Sequence, residues 1–148
     1  MSSAARPAAA KPLGGARASA KPARVAAAKA WVPQRQEVVW IDCNPQAGGE
    51  MRDFHPMLVL SPGEFNERTG LLIGLPMTTA PNNATNPFAL AVGVAGVRKA
   101  GQTSYVLCHQ PKSVDWRARA AKRHAQGRLA DVAFAAACAM LNQIIGID

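Results

Sequence analysis

Residues 37–60 read EVVWIDCNPQAGGEMRDFHPMLVL, and this stretch decides the fold. Glu37–Asp42 carries β-branched and aromatic residues and predicts a strand, Asn44–Gly49 is a turn-rich loop, and Met57–Leu60 is a buried strand ending at Ser61–Pro62–Gly63. The pattern repeats outward. Leu71–Leu75 predicts a further strand running directly into Pro76–Met77–Thr78–Thr79, and Pro87–Val92 and Ser104–Cys108 add two more. Short strands separated by turn signals predict a small antiparallel barrel rather than alternating βαβ units. The final stretch changes period. Leu129, Val132, Ala133, Ala136, Ala137, Met140, Leu141, Ile144 and Ile145 recur at helical spacing, with Asp131 in the first turn and Gly146 after the last. Such a helix packs across the barrel, and Phe134 and Cys138, off its main stripe, leave room for a second contact surface. The fold class is therefore mainly β with a C-terminal α-helix, and no internal repeat occurs.

The chain of 148 residues is about one domain long, and 49% hydrophobic content suffices for a core. Its formal charge is +8, of which +6 falls in residues 1–30, where Arg6, Lys11, Arg17, Lys21, Arg24 and Lys29 face no acid. That segment holds thirteen alanines, and its only large apolar residues are Leu13 and Val25. It cannot bury enough surface to offset ordering, so the division is a disordered basic tail (1–30) and a folded domain (31–148). The plain account of the tail is a solvated segment or an upstream start codon. The sharper one is a basic arm that adds phosphate contacts to nucleic acid. Its Arg- and Ala-rich composition is also shared with organelle transit peptides. Cys43, Cys108 and Cys138 are odd in number and contain no C-x-x-C, which argues against a disulfide scaffold and for a reducing compartment. No apolar run approaches the ~20 residues of a membrane span, so a soluble, cytoplasmic protein is expected.

His55, His109 and His124 are widely separated and fit no metal-ligand pattern, and no P-loop, dinucleotide fingerprint or nucleophile elbow is present. No metal or cofactor is expected. Three loops are unusually polar: Gly49–Pro56, Met77–Thr79 and His109–Arg119. Each has an ordinary explanation: a local salt-bridge network, strand chemistry, or a partly buried Trp116 among solvated charges. Together they supply Arg, His, Thr, Lys and Gln, which suits phosphodiester transfer within RNA. There the neighbouring 2′-hydroxyl is the nucleophile. The protein need supply only a base, an acid, and cationic donors for the phosphorane charge.

The run from Val38 to Gly70, VVWIDCNPQAGGEMRDFHPMLVLSPGEFNERTG, resembles the opening of the MazF/PemK family of toxin endoribonucleases. Pro76–Thr79, the Gln110–Arg119 stretch and the closing helix are similar to that family's later segments, in the same order, over about residues 34–146. The resemblance implies an SH3-like barrel of the MazF/PemK/CcdB type and a homodimer. It also implies sequence-specific, metal-independent cleavage of single-stranded mRNA, inhibition by a MazE-type antitoxin with an acidic segment, and DNA binding as the complex. Carried across, the family's catalytic threonine is Thr78 and its loop glutamate Glu50. Its usual arginine before the second-strand proline is replaced by His55. Three readings compete: Arg52 supplies the guanidinium while His55 moves a proton; His55 acts alone; or the barrel is catalytically weakened and binds nucleic acid or antitoxin only. The first is favoured, and a histidine merely packed between Phe54 and Pro56 is the plain alternative. Gln110, Lys112 and Arg117 match positions near the family's RNA channel. With Glu50 they form the expected RNA-binding set, joined by Trp116 as a stacking ring or, on the plain reading, as a packing residue. Asn82–Asn86 is expected to be a mobile loop near the substrate.

Overall fold

The computed structural model describes residues 30–94 and 101–147. The basic arm expected over residues 1–30 lies, apart from Ala30, outside them. The elements are β1 (Glu37–Asp42), β2 (Phe54–Val59), α1 (Gly63–Thr69), β3 (Leu71–Thr78), a 3₁₀ turn (Pro81–Thr85), β4 (Ala89–Val94), β5 (Thr103–Leu107), β6 (Lys112–Asp115), β7 (Lys122–Arg128) and α2 (Asp131–Ile145). The strands form one antiparallel curled sheet, a half-barrel in the order β4-β5-β3-β2-β1-β7. β6 pairs with the first half of β3, Leu71–Gly74, and β5 with its end, Met77 and Thr78.

Alternation along these strands divides the core in two. On one face Val38, Leu58, Leu75, Met77, Val106 and Cys108 pack under α2, which contributes Ala133, Phe134, Ala137, Met140 and Leu141. On the other, Val39, Ile41, Cys43, Met57, Val59, Leu72, Val114 and Trp116 fill the concave side. Gly74 is where β2, β3 and β6 crowd together: it pairs with Val59 and Lys112, and a Cβ there would sit 2.6 Å from the Leu58 carbonyl oxygen. Pro76 is tolerated in β3 because its ring nitrogen falls between the β6 and β5 ladders, where no donor is needed.

Two buried polar residues fasten the periphery. Asn66 of α1 donates to the carbonyls of Pro33 (2.8 Å) and Ser61 (3.1 Å) and accepts from the Ser61 hydroxyl (2.6 Å), while its own carbonyl receives the Trp116 indole N–H. Gln36 donates to Leu129 O (2.7 Å) and to Asp131 (2.6 Å), and accepts from Arg128 (2.8 Å), so the residue just before β1 holds the start of α2.

Several expectations change. β2 begins at Phe54, so the last three residues of the first polar loop are strand; Thr78 ends β3 rather than following it; and Lys112–Asp115 is a strand rather than loop. Ser61–Pro62–Gly63 opens a short helix, capped by Gly70 at φ 70°. β7 was not foreseen, and Asn82–Asn86, expected as a loop, lies mostly within the 3₁₀ turn Pro81–Thr85. In α2 the expected stripe is rotated: Phe134 packs inward, whereas Val132 is 84% exposed. Among the described residues, no helix is long and apolar enough to cross a membrane.

Candidate active site

The loop between β1 and β2 is tied at its base. Asn44 and Asp53 bond each other twice, through Nδ2 to the carboxylate (3.3 Å) and Asp53 N–H to Oδ1 (3.1 Å), and Cys43 N–H donates to Asp53 O. Asp53 takes φ 64°, a left-handed conformation that Asp tolerates better than bulkier residues. From the far side the Arg119 guanidinium donates to the carbonyls of Asp42 (3.0 Å) and Asn44 (2.7 Å). The loop therefore projects from a fixed frame.

Under it lies an open cleft of about 240 Å³, lined by Ile41, Cys43, Pro45, Glu50, Met57, Lys112, Ser113, Val114 and Arg119. The floor is apolar sheet; the rim carries two cations, a hydroxyl and one carboxylate. Lys112 Nζ stands 3.5 Å from Glu50, with the Lys112 side chain 20% exposed and Glu50 55%. At that exposure the pair adds at most ~1 kcal/mol, so it bridges loop and β6 without locking them. Burial raises the pKa of Cys43, opposed by the nearby Lys112 and Arg119 charges, so its thiol stays protonated.

The same concave face continues past Met57. His55 lies two residues along β2 on that face, and Thr78 is two beyond Pro76 on β3. The β2–β3 register pairs Met57 with Pro76; extended two places, it aligns His55 with Thr78. Thr78 pairs directly with Tyr105 of β5, the chain's one tyrosine. Thr78 Oγ1 accepts the Ala80 N–H at 3.1 Å, which leaves its own proton free to donate. His55 and Thr78 are both half-buried, so each is reachable from solvent.

The other expected residues are distributed unevenly. Glu50 and Lys112 are in the cleft. Arg52 is exposed on the β1–β2 loop, beyond the cleft lining. Gln110 is half-buried in the turn between β5 and β6; its Nε2 lies 3.4 Å from the His109 ring, and its Oε1 is buried with no partner among the described residues. Trp116 departs from the expected stacking role. Only 7% exposed, it packs edge-on against Trp31 and bonds Asn66 O at 2.8 Å, so its plain reading as a packing ring is the one observed. Arg117 covers that ring, 4.2 Å from its centroid, and thus sits beside α1 rather than in the cleft lining. Arg119, Ser113, Cys43 and Tyr105 were not foreseen as site residues. A basic residue two places after Arg117 was the available signal for Arg119; the Thr78–Tyr105 pairing leaves no local trace.

No three His, Cys, Asp or Glu side chains gather into a metal-binding group among the described residues. Residues 34–145 match the family described as PemK-like, MazF-like toxin of type II toxin–antitoxin system. Over 116 residues the chain is 31% identical to the endoribonuclease toxin MazF of Escherichia coli (strain K12), covering 78% of this chain and 96% of the relative. The fold matches the crystal structure of MazF (Form-I) from Deinococcus radiodurans with TM-score 0.68 and 31% identity, covering 79% of this chain and 99% of that one. A MazE–MazF structure (Form-II) from the same organism matches with TM-score 0.63 and 26% identity, covering 80% and 99%. With three-quarters of its length inside that family match and its fold shared with MazF, the chain belongs to the PemK-like, MazF-like toxins of type II toxin–antitoxin systems.

Proposed function

We propose that this chain is a toxin endoribonuclease that cuts single-stranded RNA in the cytoplasm by transesterification. The carrying observation is a cationic cleft, rimmed by Lys112 and Arg119, that opens along the sheet face bearing His55 and Thr78. The substrate's own 2′-oxygen attacks phosphorus and gives its proton to a base. The P–O5′ bond breaks, and an acid protonates the departing 5′-oxygen. The products are a 2′,3′-cyclic phosphate and a 5′-hydroxyl. His55 moves one of these protons, since imidazole exchanges protons near neutrality. Thr78 donates to a non-bridging oxygen, and Arg52 swings from its exposed loop to meet the phosphorane charge. Lys112, Gln110, Glu50 and Arg117 guide the strand, with Lys112 giving up Glu50 for a phosphate.

The same cleft suits an acidic, extended segment of a MazE-type antitoxin, which would occupy the RNA path by charge complementarity. The functional unit is a homodimer. The test is incubation of purified protein with a long RNA and EDTA, followed by mapping of 5′ ends. Reproducible cuts at one short motif, bearing 5′-hydroxyls and abolished by Thr78→Ala in a folded protein, are expected. RNA bound but left intact by the unmutated protein would reduce the chain to a binding module. For His55→Ala the expected result is a flattened pH–rate profile near neutrality; an unchanged profile removes His55 from proton transfer.

A further inference from the structure

α2 covers only part of its sheet face. Val38 and Leu58 lie beneath it, but the other ends of β1 and β2 carry Trp40 and Phe54 on that same face by alternation. Lys122 of β7 pairs with Trp40, and His124 follows two places later. The Trp40 and His124 rings are 4.8 Å apart at 36°, and Lys122 Nζ stands 5.9 Å from the centre of Phe54. Phe54 is 46% exposed, and Lys122 is exposed. The result is a row of flat rings with a cation above it. β7 pairs with β1 alone and carries Lys122, Arg123 and Arg128 with no acid of its own. Asp42, paired with Phe54 and on this face by alternation, accepts the Asn44 N–H at 3.0 Å and keeps its charge, so the cations of β7 outnumber it. Burial lowers the pKa of His124, so at neutral pH its ring is an uncharged stacking surface.

We infer that this β1–β2–β7 end is a second RNA-binding platform, on the sheet face opposite the cleft. Bases stack on Phe54 and the Trp40–His124 pair while Lys122 meets a backbone phosphate. Aromatic rings interleaved with cations are what single-stranded nucleic acid requires, because every base has a π-face and every linkage a charge. The route from the cleft is short. Arg119, on the cleft rim, is three residues from Lys122, at most ~11 Å of extended chain. Asp42–Phe54 is the last pair of β1 and β2, so at this end of the sheet the two faces meet. The inference rests on the endoribonuclease reading and extends it: RNA longer than the cleft is held at two places.

The experiment compares two RNAs centred on the mapped cut motif, of ~6 and ~18 nucleotides, chosen around the ~4–16 nucleotides such grooves occupy. Both are made with 2′-O-methyl groups for binding and unmodified for cleavage. The variants are Phe54→Ser/Lys122→Ala and, to leave the rings intact, Lys122→Glu. The expected result is at least about fivefold weaker binding of the long RNA, with a salt slope shallower by about 0.7 for each phosphate no longer neutralised. Binding and cleavage of the short RNA stay unchanged. Equal long-RNA affinity in wild type and Lys122→Glu overturns the platform. So does a loss of the same size for both RNAs, which would place the effect in the cleft. Wild-type protein that binds and cuts neither RNA overturns the endoribonuclease reading itself, a result distinct from both.

Discussion

Gly74→Ala tests whether the cleft floor is as tightly assembled as its geometry demands. The added methyl would lie 2.6 Å from Leu58 O, 2.8 Å from Met57 Cγ and 2.9 Å from Met57 Sδ. Met57 can swing its thioether aside, but the Leu58 carbonyl belongs to β2, which must retreat about 0.4 Å merely to reach a 3.0 Å contact. Two effects oppose each other. Alanine gains roughly 0.4–1 kcal/mol by restricting the unfolded chain, whereas overpacking a filled core costs about 1–3 kcal/mol. The second wins, and a net loss of about 1–2 kcal/mol is expected, read from the urea midpoint. Because Met57 lines the cleft and Lys112 pairs with residue 74, kcat/KM on RNA should fall roughly tenfold through misplacement alone. A double-mutant cycle isolates the cause. Met57→Ala removes two of the three collisions, so combining it with Gly74→Ala should cost about 1 kcal/mol less than the sum of the single changes. Strict additivity, or a Gly74→Ala protein within about 0.5 kcal/mol of wild type, would refute the close approach.

Other expectations are briefer. Burial lowers the pKa of His124. Its proton therefore binds the unfolded chain more readily, and stability should decline as pH falls from about 6.5 through the folded value. His124→Phe should remove that slope in urea titrations at pH 7.5 and 5.5, and an unchanged slope would assign it elsewhere. Asn66→Leu strands the carbonyls of Pro33 and Ser61 and leaves the Ser61 hydroxyl proton only its longer contact to Ile73 O (3.4 Å), and should lower stability by about 2–4 kcal/mol in the same assay. Glu50→Gln breaks a mostly exposed pair, so stability should move by less than ~1 kcal/mol. Lys112 leaves Glu50 for a phosphate in either protein, so RNA binding should tighten while the salt slope, set by the number of phosphates neutralised, stays the same.

What could be read in the sequence follows from how each element is stabilised. β1 and β3 announced themselves because Val38, Val39 and Ile41, and Leu72 and Leu75, are buried, and burial selects apolar side chains. α1 did not, because GEFNERT has one buried residue, Asn66, and that residue works through hydrogen bonds rather than periodicity. α2 was found but turned wrongly: alanine surrounds it, so its apolar stripe has no sharp edge, and burying the Phe134 ring fixes the rotation. For the site, Glu50 and Lys112 follow from the family resemblance rather than from residue type, and the structure brings them 3.5 Å apart across 62 residues. Tyr105 beside Thr78 depends on a pairing between strands that no local pattern encodes.

β7 is the sharper case, because its obscurity and its proposed role have one origin. KRHAQGR has no buried residue, so nothing in it reports a core-facing strand. Charged edge strands occur for another reason: lysine on an exposed ladder discourages pairing with a second chain. That explanation accounts for Lys122, Arg123 and Arg128, but it requires no aromatic partners. Here Lys122 stands over Phe54, Arg123 over Trp31 at 5.6 Å, and His124 stacks on Trp40. The Arg123–Trp31 pair reaches the concave core, where Trp31 already packs, and structure alone accounts for it. Phe54 packs with neither core cluster and stays nearly half exposed. A ring that adds little to the core and nothing to edge protection is the one whose removal separates the two accounts. Edge protection predicts that Phe54→Ser leaves long-RNA affinity untouched, whereas base stacking predicts a loss that the short RNA does not share.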